Sequence, residues 1–204
     1  MSYHHGNLHD SLLQHGETAL REGGFENLSL RSIAKLAGVS HNAPYRHFRN
    51  KDDLINKILE KAMLQLAEQI LAAALLYPGS LTMQIQFVGR LFAQLALREP
   101  RKAHLLFTGL STNLKHEQIM RASHRLVVLN ISSLITEAGD NTSEHPETKA
   151  LSLQLYAAYR GLSTMLTSKT LPDDNLREDE IFDLFDSLTQ NLLHTILDSS
   201  KPLT

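Results

Sequence analysis

The stretch SLRSIAKLAGVSHNAPYRHFRNKDDL, from Ser29 to Leu54, decides how this chain folds. Ser29 is placed to cap a helix, because its hydroxyl can accept from an orphaned N–H of the first turn. Leu30, Ile33, Ala34 and Ala37 follow at i, i+3, i+4 and i+7, one apolar stripe on a short helix. Gly38 comes just after that stripe, where a left-handed residue ends a helix at little cost. Val39 fills the space between two helices, and Ser40 is expected to cap the second. Tyr45 and Phe48, at i and i+3, are expected to pack back onto the first helix. So short a helix cannot stand alone, so tertiary contacts must hold it. Asn50 reads as the cap of the next helix, with Asp52 and Asp53 in its first turn, where the helix dipole favours negative charge. Two helices joined by a short turn containing Gly make a helix–turn–helix.

Charge gives this segment a direction. It carries Arg31, Lys35, Arg46, Arg49 and Lys51, with no acidic residue between Ser29 and Lys51, in a chain of net charge −2. Positive charge concentrated on a helix–turn–helix in an otherwise slightly acidic protein points to one DNA-facing surface.

The rest of the composition narrows the function by exclusion. At 204 residues, with 42% hydrophobic and 21% charged residues, the chain is long enough for one or two domains with a proper core. Cysteine is absent, so a disulfide framework, a thiol nucleophile and a thiolate metal site are excluded. The opening MSYHHGNLHD lacks the apolar core of a signal peptide, and the apolar run Ile70 to Tyr77 is too short to span a bilayer. A cytoplasmic location without membrane partners is therefore expected. Eleven histidines are present, but His104, His116, His124, His145 and His194 are scattered and no HExxH occurs. No metal site is expected; His4, His5 and His9 belong to a frayed end or to an arm reaching DNA. GxSxG, GxxxxGK[ST] and GxGxxG are all missing, so no catalytic residues, no cofactor and no enzyme activity are expected.

Pro and Gly are few, and the chain reads as all-α, with about nine helices. Asn7 to Glu22 forms the first, with Leu8, Leu12, Ala19 and Leu20 facing a small core. A long helix runs from Lys51 to about Leu76, with Leu54, Ile58, Leu59, Ala62, Leu66 and Ile70 near helical spacing, until Pro78-Gly79 stops it. Further helices are expected from Ser80 or Leu81 to Arg98, and from Pro100 to about Gly109. Three more follow: Lys115 to Ala138 (ended by Gly139-Asp140-Asn141), His145-Pro146 to Lys169, and Arg177 to Asp198. Leu171 to Asp174 is a loop. A helix shared between a small and a large bundle can swing the small one as a nearly rigid body.

The segment GGFENLSLRSIAKLAGVSHNAPYRHFRNKDDL resembles the DNA-binding domain of the tetracycline-repressor (TetR) family of bacterial regulators. The match rests on Gly24-Phe25, Leu28 to Ile33-Ala34, Ala37-Gly38-Val39-Ser40, Tyr45-Arg46-His47-Phe48, and Lys51 with Leu54. The resemblance implies an N-terminal three-helix DNA-binding domain over residues 6–66, and a larger C-terminal bundle over 67–204 for ligand binding and dimerisation. It further implies that residues just after Ser40 face the major groove, where base pairs can be told apart. His41 and Asn42 are then the candidates for base edges, with Ala43 near a thymine methyl; Asn can pair bidentately with adenine. Tyr45, His47 and Lys51 match positions that touch phosphates, and Ser40, Arg31 and Arg46 can do the same, setting register more than sequence choice. Pro44 removes an N–H early in the recognition helix and can shift its start.

For the C-terminal bundle, the resemblance implies a ligand pocket, with Met83, Phe87, Phe107, His124, Tyr156 and Arg160 as candidate lining residues. Tyr156-Ala157-Ala158-Tyr159-Arg160-Gly161-Leu162 is similar to a segment of one TetR subgroup in which Trp stands for Tyr156 and His for Arg160. Arg160 here would favour an anionic ligand. Broad apolar faces on the last two helices (Leu151, Leu155, Ala158 and Leu162; Ile181, Leu184, Phe185, Leu188, Leu192 and Ile196) fit a four-helix homodimer interface. Dimerisation has a physical motive, since two short recognition elements reading half-sites about 34–36 Å apart discriminate better than one. The expected function is a ligand-responsive repressor on a palindromic duplex operator. A DNA-binding regulator without a small-molecule inducer, activator or partner-controlled, is the alternative; a helical enzyme or carrier comes last.

Overall fold

The computed structural model describes residues 5–108, 114–138, 146–172 and 175–199. Among them are eight α-helices, one 310 turn and no strand, so the all-α reading holds. The helices are α1 (His5–Asn27), α2 (Leu30–Leu36), α3 (Lys51–Leu76), α4 (Leu81–Arg98), α5 (Pro100–Thr108), α6 (Leu114–Ala138), α7 (Pro146–Ser168) and α8 (Glu178–Ser199), with the 310 turn at Pro44–Arg46. The expected breaks at Gly109, Gly139 to Asn141 and Asp173-Asp174 lie outside the described residues, as do His4 and His145.

Local chemistry sets the boundaries. The Ser29 hydroxyl accepts from the Ser32 N–H at 3.0 Å, and the Ser32 hydroxyl accepts from the Ser29 N–H at 3.1 Å, a reciprocal cap at the start of α2. Gly38, at φ 67, ends α2: its N–H donates to the Lys35 carbonyl and that of Val39 to the Ala34 carbonyl, the paired bonds of a Schellman motif. Asn50 Oδ1 accepts from the Asp53 N–H at 2.9 Å and opens α3. The first helix runs past the expected Glu22, but Gly24 (φ 75, ψ 179) breaks its path.

Leu12, Leu20, Ile33, Phe48, Leu54 and Ile58 are fully buried where α1, α2 and the start of α3 meet. Burying side chains of this size contributes about 1.5–3 kcal/mol each, which holds elements too short to be stable alone. Further along, α3 packs against α6 and α4, so this one helix joins both bundles. The larger bundle is pinned at named points. Asn130 on α6 donates to the buried Ala67 carbonyl of α3 at 2.8 Å, and Arg90 on α4 pairs with Asp186 on α8 at 2.5 Å. Tyr159 on α7 is fully buried; its hydroxyl donates to the Ile85 carbonyl at 3.2 Å and lies 2.6 Å from Thr189 Oγ1.

Candidate nucleic-acid interface and effector site

In the small bundle the structure alters one expectation. The second helix of the helix–turn–helix shrinks to a single 310 turn, Pro44–Arg46, and Ser40 does not cap it. Ser40 instead gives its carbonyl to the Ala43 N–H at 2.9 Å, and Ala43 takes the cap position without a side-chain bond. The cause is Pro44: with no N–H it cannot make the bond to the fourth preceding carbonyl that would start an α-helix at Ser40. His41 and Asn42 therefore lie on turns just before the 310 turn rather than on a helical face.

The segment remains well held. Phe48 is 1% exposed, and its ring stacks on His9 of α1 with centroids 5.2 Å apart, so His9 braces the turn rather than forming a loose arm. His47 lies 5.8 Å from the same His9 ring. Tyr45, expected to pack back onto α2, is 50% exposed. Arg31, Ser40, His41, Asn42 and Arg46 are exposed, and Ala43, His47 and Lys51 are half-buried. Arg31, Lys35 and Arg46 pair with no carboxylate among the described residues, whereas Arg49 has Asp53 at 3.6 Å. The result is a fixed turn with outward polar side chains and uncompensated positive charge, a form suited to a polyanion.

The candidate effector residues divide into two groups. Met83 is half-exposed at the start of α4, and Phe87 packs on Tyr77 with centroids 5.7 Å apart. Met83 precedes Phe92 by nine residues, roughly 13 Å along a helix, so it is remote from the other candidates. Phe107, His124, Tyr156 and Arg160 do come together. Phe107 stacks on Phe92 (5.6 Å), and Phe92 meets the Tyr156 ring edge-on (6.0 Å). The Tyr156 hydroxyl shares a hydrogen bond with His124 Nδ1. Arg160 donates through Nε to the Phe107 carbonyl at 3.0 Å, at the C-terminal end of α5.

Electrostatics follow from that geometry. Burial, with Arg160 nearby, lowers the His124 pKa to about 4, so the imidazole is neutral at physiological pH. Burial pushes the Tyr156 hydroxyl up to about 12, partly opposed by Arg160. Arg160 has no carboxylate partner among the described residues; it donates instead to the carbonyl end of α5.

Sequence reading missed Arg101. From α5, its Nη1 donates to the carbonyls of Arg21 (2.6 Å) and Glu22 (2.7 Å), just before the break at Gly24. Thus α5 is held at one end by α1 and at the other by Arg160. No local pattern announces a bond between residues 80 positions apart.

Fold and site together define the class: a helical bundle that carries a braced cationic helix–turn–helix at one end. Residues 12–58 match the profile of the bacterial regulatory proteins of the tetR family. No curated sequence gives a significant match. Solved structures share the whole fold. One from Mesorhizobium loti, described as a TetR-family transcriptional regulator, superposes with a TM-score of 0.74 at 15% identity, covering 95% of this chain and 98% of its own. A TetR/AcrR-family transcriptional regulator from Thermobifida fusca gives 0.69 at 22% identity, with 91% and 97% covered. The transcriptional regulator FadR from Bacillus subtilis, solved in complex with stearoyl-CoA, gives 0.69 at 16% identity, with 90% and 96% covered. Among the described residues no helix is long and apolar enough to cross a membrane, and no cluster of three or more potential ligands could hold a metal ion.

Proposed function

We propose that this chain is a transcriptional regulator that binds a palindromic duplex operator as a homodimer and acts as a repressor. The observation that carries the reading is the segment around the Pro44–Arg46 turn, braced by Phe48 on His9, with Ser40, His41, Asn42, Tyr45 and Arg46 exposed and Arg31, Lys35 and Arg46 in no ion pair among the described residues. His41 and Asn42 are assigned to base edges and Ala43 to a thymine methyl. Tyr45, His47, Lys51, Ser40, Arg31 and Arg46 are assigned to the phosphate backbone. The reading domain spans about 6–66 and the regulatory bundle 67–204, sharing α3. Dimerisation is assigned to α7 and α8, where Met165 and Leu184 are exposed and a Cβ at Gly161 would meet nothing within 4 Å.

An effector would act through α5. A molecule that disturbs His124 and Tyr156 changes the surroundings of Arg160, hence the hold on the Phe107 carbonyl, hence α5 and the Arg101 bonds to α1. To release DNA it must bind the DNA-incompetent arrangement more tightly, since equal affinity for both shifts nothing. The stearoyl-CoA complex of FadR supports ligand control on this fold.

A second reading is favoured by the filled centre of the large bundle, where Phe92, Phe107, Tyr156 and Tyr159 stack together. In that case the protein binds DNA without an internal inducer, and its duplex affinity is indifferent to metabolites. Fluorescence anisotropy on a selected duplex, with and without cell-derived small molecules, separates the two readings. Failure to bind any duplex would remove both.

A further inference from the structure

Between α6 and α7 the surface is indented into a groove of about 550 Å3. That volume lies in the ordinary range of small-molecule sites, about 300–1,000 Å3. Its body is apolar: Val128 and Tyr156 line it, and Leu129 and Leu153 stand 58% and 57% exposed. Leucines so exposed forgo the burial that ordinarily stabilises such a side chain. They are the part of this surface that gains most from being covered.

The charges are placed at the two ends of this groove. The His124–Tyr156 bond fixes one pairing of α6 with α7; Ser132, further along α6, and Lys149, earlier on α7, line the same groove, so the helices run antiparallel here with that pair at the opposite end. Arg125 therefore stands at the Tyr156 end and Lys149 at the other, seven residues or roughly 10 Å along α7. Leu129 and Leu153 lie between them. No carboxylate lines the groove, and neither Arg125 nor Lys149 forms an ion pair among the described residues. Arg160, one turn past Tyr156, adds a third positive charge behind the Arg125 end, and His124 is neutral there.

We infer that this groove binds an elongated apolar molecule with an anionic group at each end, of the medium-chain α,ω-dicarboxylate class. One carboxylate pairs with Arg125 and the other with Lys149, while the hydrocarbon covers Leu129 and Leu153. The inference rests on the reading that the C-terminal bundle receives an effector, and it names that effector's chemistry. Occupancy bears directly on Tyr156, the start of the path through Arg160 and α5.

The test is titration calorimetry on the full chain with sebacate, decanoate and decanol at fixed ionic strength. Sebacate binding tightest and decanol weakest is the expected order. Arg125→Gln and Lys149→Gln, both at exposed positions, should each weaken sebacate about two- to fivefold. Leu153→Ser should weaken all three ligands while the molecular mass in sedimentation stays that of wild type. No binding by the wild type, sebacate no tighter than decanol, or unchanged affinity in both charge variants would overturn the proposal. So would a fall in mass in Leu153→Ser, because the groove would then be covered by a second copy of the chain. Duplex binding is measured separately on the same protein. Loss of sebacate binding with duplex binding intact sinks this inference alone, and sebacate binding without duplex binding sinks the regulator instead.

Discussion

His124 makes the stability of this protein dependent on pH in a calculable way. Its imidazole is partly buried against Tyr156 and faces the Arg160 guanidinium, and its pKa falls from 6.5 to about 4. Between those values the unfolded chain takes up a proton that the folded chain refuses, so stability falls as pH drops from about 6.5 towards 4 and is level above. The full gap corresponds to at most ~3 kcal/mol. Solvent reaches part of the ring, so screening reduces the expected loss to about 1–2 kcal/mol. His124→Gln keeps a neutral polar partner for Tyr156 but cannot titrate. Urea unfolding of wild type and variant at matched protein concentration, at about pH 7.5 and about pH 4.5, isolates this residue from the other titrating groups. The variant should be the less stable protein at the higher pH and gain about 1–2 kcal/mol relative to wild type at the lower one. Parallel pH profiles would refute the reasoning, because they would mean that His124 takes up its proton equally in both states.

Other substitutions probe packing, coupling and recognition. In Gly89→Ala the new Cβ would lie 3.1 Å from Cε1 and 3.2 Å from Cζ of Tyr159, whose hydroxyl is tethered to Ile85 and Thr189. Crowding of about 1–3 kcal/mol should outweigh the helix-propensity gain of up to about 1, giving a lower urea midpoint. Gly161→Ala, with open space around it, should instead stabilise the protomer by up to about 1 kcal/mol, and weaken the dimer in sedimentation if a partner's helix packs there. Arg101→Ala should cost about 1 kcal/mol and speed amide exchange at the end of α1, by removing two bonds to its carbonyls. Lys51→Ala or Tyr45→Phe should weaken binding to all duplexes about equally. His41→Ala and Asn42→Ala should change sequence preference by about 1–3 kcal/mol per lost base contact, read by competition between duplexes.

The parts legible in the sequence are those governed by local chemistry. Ser29, Gly38 and Asn50 announce their caps because a cap is made within four residues of itself, and the apolar spacing of α3 shows its buried face directly. The second helix of the helix–turn–helix was legible in place but not in form, because Pro44 denies an α-helix the N–H it needs and leaves a 310 turn. The effector region was only partly legible. His124, Tyr156 and Arg160, candidates through the resemblance, do meet. Nothing local marks Arg125 and Lys149; only the pairing of α6 with α7 places them at opposite ends of one groove. Arg101 was invisible for the same reason: its role depends on which carbonyls the fold brings to it.

The central claim, that the braced cationic turn reads a palindromic duplex, is tested most directly by selecting bound duplexes from a random pool at a stated salt concentration. The account predicts enrichment of a palindrome whose half-site centres lie about 34–36 Å or a multiple apart, with Asn42→Ala shifting the enriched bases. Binding that is salt-sensitive yet indifferent to sequence, with the same pool recovered from wild type and Asn42→Ala, would contradict it.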